Sequence, residues 1–132
     1  MEFKKENINP KGWKTGDCVV RACALANHMS WESTYLTLCE IGATKCRMPN
    51  EKHTYEQFLK DRGWVKYKMP VWYDAFGKKH RYTVKELINE KPDKRIIISI
   101  ANHLTFADNG TLIDLWNCGS KSVGNYWIKE VK

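Results

Sequence analysis

Gly16-Asp17-Cys18-Val19-Val20-Arg21-Ala22-Cys23-Ala24-Leu25-Ala26 is the stretch on which the reading of this chain turns. Asp17 is a residue type that favours a helix N-cap, and from Cys18 to Ala26 every side chain is small or apolar except Arg21. A helix apolar on almost all sides belongs in the centre of a core. Cys18 then stands at the tip of a buried helix, where unsatisfied backbone N–H groups and the helix dipole favour a thiolate. Asp17 would oppose that charge unless its carboxylate turns back onto the helix N–H groups. Arg21, one turn into a buried helix, requires a partner, and a structural ion pair is expected.

Outward from this helix, residues 1–16 read as an extended arm and loop punctuated by Asn9-Pro10 and Gly12. Ser30 caps a second helix at about 31–41, with Gly42 as its stop. Thr54 to Gln57 has a capping-box pattern opening a helix closed by Gly63, and Trp64 to Met69 reads as a strand. Residues 70–82 look irregular, and Thr83 to Glu86 is a second capping box whose helix ends before Pro92. The remainder is β: Arg95 to Ala101, His103 to Asp108, Thr111 to Trp116 and Asn125 to Val131. Helices first and an antiparallel sheet afterwards predict an α+β domain spanning 1–132, with the Cys18 helix packed on the sheet.

Asn109-Gly110 permits a sharper expectation, because this dipeptide favours a two-residue hairpin turn. Such a turn pairs Asp108 with Thr111 and, counting back, Thr105 with Asp114 and His103 with Trp116. Side chains alternate across the pleat, so His103, Thr105, Asp114 and Trp116 share a face. Asp114 is then the diagonal neighbour of His103, and Trp116 lies across from it at the rim of the substrate site. A bulge in the turn would flip the parity and put Asn117 in place of Asp114. The resulting set is a cysteine nucleophile, Cys18, a general base, His103, and an orienting carboxylate, Asp114. That set fits a thiol-dependent hydrolase forming an acyl-enzyme on a peptide or protein substrate. The Cys18 backbone N–H supplies half of an oxyanion hole, and Asn9 is the candidate for the other half, ahead of Asn7 and Thr15.

At 132 residues the chain is long enough to bury a core without staples. It opens with no apolar signal stretch and holds no run long enough to span a bilayer, so a cytoplasmic location and no membrane partner are expected. Its five cysteines read as reduced thiols, with Cys118 packed in the core or at the rim of the site. There is no Cys-x-x-Cys and no zinc-ligand spacing, so neither a metal nor another cofactor is expected. The net charge of +7 is scattered, which argues against a nucleic-acid partner; Lys78 to Arg81 is the best acidic-partner patch.

Gly16-Asp-Cys-Val-Val-Arg-Ala22 near the start resembles a group of small papain-like cysteine peptidase-type proteins of bacteria and their phages. The later His103, Gly110, Asp114-Leu-Trp116 and Tyr126-Trp127 carry the same likeness, so the two ends together span almost the whole chain. Asp17-Cys18-x-x-Arg21-Ala22 is also similar to the nucleophile helix of ovarian-tumour-type deubiquitinases, which usually place an extra residue between Asp and Cys. The resemblance implies a papain-like fold and a Cys–His–Asp hydrolase, and no substrate. Papain-like enzymes commonly carry a glutamine six residues before the cysteine, where this chain has Gly12. That departure leaves an alternative: a weak or inactive member of the fold acting as a binding or regulatory module.

Overall fold

The computed structural model describes residues 1–129, and its elements alternate from a short strand to helices and back to a sheet. In chain order they are β1 (Glu2–Lys5), α1 (Cys18–Ala26), α2 (Trp31–Lys45), α3 (Lys52–Asp61), β2 (Trp64–Lys68), β3 (Val71–Tyr73), β4 (Lys79–Arg81), α4 (Val84–Glu90), β5 (Arg95–Ile100), β6 (His103–Asp108), β7 (Thr111–Asp114) and β8 (Asn125–Lys129). Six strands form one sheet in the order β1-β7-β6-β5-β8-β2, and β3 and β4 form a separate two-stranded ribbon. The architecture is α+β, as the order of helical and β patterns predicts.

Alternation along β5 explains why Ile96 to Ile100 is apolar at nearly every position. Ile97 packs with Leu104, Phe106 and Trp127 beneath α1, α2 and α3, where Val20, Cys23, Leu38 and Phe58 complete one core. Ile96, Ile98 and Ile100 point the other way, onto Val84, Leu87 and Ile88 of α4. A strand covered on both faces has no place for polar alternation. The sheet is therefore sandwiched between helices.

Several boundaries differ from the sequence expectation. The arm at the N-terminus is partly a strand: β1 pairs in parallel with β7, Phe3 opposite Leu112, so the sheet is mixed rather than antiparallel. α2 runs through Gly42 and ends at Cys46, which adopts the left-handed conformation at φ 56°. Gly42 has another purpose, since a Cβ there would lie 2.5 Å from the returning carbonyl of Arg47. Thr54 does not cap α3; Glu51 occupies that position, and the Thr54 hydroxyl donates to the Met48 carbonyl at 2.8 Å. The Ser30 cap and the Thr83–Glu86 capping box do form. Residues 70–82, expected to be irregular, contain the β3–β4 ribbon. The last strand reaches Lys129, and the end expected for it at Val131 lies outside the described residues.

Candidate active site

The Asn109-Gly110 turn is a two-residue turn, with both residues at positive φ (47° and 88°) and Asp108 opposite Thr111. The ladder continues through Phe106 opposite Ile113, which is the register required to bring Asp114 alongside Thr105. His103 opens β6 and Asp114 closes β7, so the two lie at one end of the sheet. There His103 Nε2 donates to Asp114 Oδ2 at 2.6 Å. Trp116, just past β7, has its ring centroid 5.2 Å from that of His103 and stays partly exposed. Asn117 turns away, accepting the Gly119 N–H at 3.0 Å.

Cys18 arrives from the opposite side, as the first residue of α1, whose flank packs on β6. Burial disfavours its thiolate, but a hydrogen bond from His103, one from the Leu104 backbone, and the charges of His103 and Arg21 more than offset this and bring the pKa down. Burial also disfavours an imidazolium at His103, yet its contacts to Asp114, Cys118 and Cys18 push the pKa up to about 11. Both shifts favour the same state, a thiolate beside an imidazolium. With Nε2 committed to Asp114, Nδ1 is the ring nitrogen left for the sulfur. A cleft of about 560 Å³ opens over the pair, lined by Gly16, Asn50, Tyr55, Ser99 and Asn102. A larger depression of about 660 Å³ between Trp13 and Trp31 contains none of the three groups.

Behind the pair, Asp114 is held by more than the histidine. Its Oδ1 accepts from Arg21 Nη1 at 3.0 Å and from the Leu115 N–H at 2.7 Å. Arg21 Nε in turn donates to Asp17 Oδ1 at 2.9 Å, and Asp17 Oδ2 accepts from Trp31 Nε1 at 2.9 Å and Asn9 Nδ2 at 3.2 Å. All three charged groups are almost completely buried. Although burial opposes ionisation, these donors keep both carboxyls below their ordinary range. Asp17 therefore does not cap α1 with its side chain, contrary to expectation; it serves Arg21 instead. The structural ion pair expected of Arg21 is present, and one of its two partners is the carboxylate that touches His103.

Asn9, the expected second oxyanion donor, sits apart from the cleft. Its amide nitrogen faces Asp17, its carbonyl oxygen accepts the Lys11 N–H at 2.9 Å, and it does not line the Cys18 cleft. The asparagines that do are Asn50, between α2 and α3, and Asn102, in the turn before His103. Asn50 reaches the cleft only through tertiary folding, whereas Asn102 is brought there as the neighbour of His103. Cys118 is buried with Sγ 4.0 Å from Asp114 Oδ2. Together His103, Asp114 and Cys118 bring three potential metal-ligand atoms within 4.8 Å of one another. A cation there would have to break the His103–Asp114 hydrogen bond and sit beside the Arg21 guanidinium, so the donor set fits a metal poorly.

No protein-family model, curated protein or solved structure matches this chain. Among the described residues no helix is long and apolar enough to cross a membrane.

Proposed function

We propose that this protein is a papain-like cysteine hydrolase, acting on a peptide or related amide or thioester bond. The observation that carries the proposal is the relay from Asp114 through His103 to Cys18, a half-buried thiol at the start of a core helix and in an open cleft. Cys18 attacks the substrate carbonyl carbon, forming the C–S bond, and the proton on His103 passes to the leaving amine or thiol as its bond to carbon breaks. His103 then takes a proton from water, the hydroxide adds to the acyl carbon, and Cys18 leaves as the thiolate. Asp114 keeps the imidazole in the orientation that serves both steps. In this reading the Cys18 backbone N–H, at the start of α1, is the donor to the charge that develops on the carbonyl oxygen.

The test is the rate of Cys18 alkylation by iodoacetamide, followed by peptide mass spectrometry across pH. Wild type should label rapidly at pH 6, and His103→Ala should slow that labelling about ten-fold or more, because an ordinary thiol near pKa 8.5 is almost wholly protonated there. Labelling that rises only near the free-thiol pKa and ignores the mutation would overturn the reading. A second reading, a binding module that retains the fold without turnover, draws support from Asn9, whose amide is spent on Asp17. An activated Cys18 that never accumulates an acyl adduct from activated ester substrates would favour it.

A further inference from the structure

The scattered cations of the sequence converge with aromatic rings in one place that the proposed hydrolase site does not use. Between Lys66 and Tyr82 the chain carries Lys66, Lys68, Lys78, Lys79 and Arg81 against a single carboxylate, Asp74. Folding gathers much of this segment into the β3–β4 ribbon, which stands apart from the main sheet. Register places Val71 opposite Arg81, Trp72 opposite His80 and Tyr73 opposite Lys79. Side chains alternate, so Tyr73, Lys79 and Arg81 share one face, while Trp72 and His80 stack on the other at 4.3 Å. Tyr73 is 63% exposed, and Phe76 at the tip is 95% exposed.

This surface is rigidly presented. Asp74 accepts the Phe76 and Lys78 N–H groups at 2.9 and 3.0 Å and holds His80 at 2.8 Å, which fixes the tip and uses up the one acid. Met69 and Tyr82 root the ribbon in the core beside α4. An exposed phenylalanine on a fixed tip has no role in this chain's own packing.

We propose that the β3–β4 ribbon is a docking site for single-stranded nucleic acid. Bases stack on Tyr73 and Phe76, and phosphates pair with Lys79 and Arg81 on the same face and with Lys68 and Lys78 at its margins. Lysine is depleted from the cores of protein–protein interfaces, and its interleaving with aromatic rings favours a polyanion with flat faces over an acidic protein. The charge reads as scattered along the sequence because this face forms only when β3 and β4 pair.

The experiment is fluorescence anisotropy with a labelled oligothymidine of about twenty nucleotides, at about 50 and about 200 mM salt. Neutralisation of about four phosphates predicts an affinity loss of about fifty-fold between those conditions. The double variant Tyr73→Ala/Phe76→Ala should weaken binding about ten-fold or more at either salt, and Lys79→Glu/Arg81→Glu should flatten the salt dependence. Both variants should leave the thermal midpoint and Cys18 alkylation unchanged. An oligouridine arm distinguishes RNA from DNA as the preferred strand. Absence of binding at about 50 mM salt would overturn the proposal, as would binding indifferent to the aromatic variant, equal binding of duplex DNA, or displacement by polyglutamate as effective as by unlabelled strand.

Discussion

Around Asp114 charged side chains are shut away from water, whereas on the β3–β4 ribbon aromatic rings face it. The first region joins Asp17 and Arg21 of the α1 end to Asp114 of β7, residues 93 apart in sequence at the longer bridge. Each charge there has a partner, one pair within the α1 end and the others between elements. In the second region the contacts are local: Asp74 serves its own turn, and Trp72 stacks on its cross-strand neighbour His80. A buried polar network and an exposed apolar patch each cost stability without a compensating role. The difference teaches where each role lies. Buried charge is tied to the geometry of His103, whereas the Tyr73 and Phe76 rings stand open to solvent.

The network should break hardest. Arg21→Met removes the cation that bridges Asp17 and Asp114 and leaves the buried Asp17 carboxylate without its charged partner, so unfolding free energy should fall by about 3–5 kcal/mol in urea titrations. Loss of less than about 1 kcal/mol would mean that water reaches Asp17 and Asp114 more freely than their burial implies. The same network should also set the pH limits of stability. Asp17 and Asp114 have pKa values held below the ordinary carboxylate value, so their stabilisation is present above that value and is lost as pH falls through the depressed values. His103 has the opposite sign: raised to about 11, it stabilises fully below its unfolded value and loses that contribution as pH rises through the folded one. Urea midpoints should therefore hold from about pH 5 to about pH 6.5, fall as pH drops below that range, and decline progressively as pH rises from about 6.5 toward about 11. A midpoint that drops already between about pH 5 and 6, or that stays flat to about pH 9, would place the controlling group elsewhere.

A smaller effect tests how the helices flanking these regions start. Thr83 accepts the Glu86 N–H at 3.2 Å and caps α4, close after the ribbon. Thr83→Ala should cost about 1 kcal/mol and leave Cys18 alkylation untouched, because the capping box is remote from the relay. A change in the alkylation profile would show that α4 and the site are coupled through the sheet.

The site was more legible than the boundaries around it, and the reason is local chemistry. Asn109-Gly110 dictates turn type, turn type dictates register, and register brings Asp114 to His103 without knowledge of any other element. Ser30 and Thr83 announce helix starts in the same local way. What was not legible depends on distant segments. β1 is a strand only because β7 offers an open edge, and Gly42 is interior to α2 because the chain folds back and presses Arg47 against it. Asp17 looks like a cap, but a buried guanidinium outcompetes helix N–H groups for its carboxylate. Asn9 was drawn into the same network, which no spacing rule along the chain could reveal.

The ribbon should be the easiest region to change without consequence for the fold. Phe76→Ala removes a ring that is 95% exposed, so global stability should shift by no more than about 0.5 kcal/mol. Asp74→Ala should be equally silent in the unfolding midpoint, but not in local order. Its carboxylate accepts the Phe76 and Lys78 N–H groups, and native-state hydrogen exchange of those amides should accelerate when it is removed. Because Met69 and Tyr82 hold the base of the ribbon in the core, amides of β5 and β6 should exchange as in wild type. Faster exchange spreading into β5 would mean that the ribbon supports the sheet, and the contrast between a network that holds the fold and a surface that only presents side chains would fail.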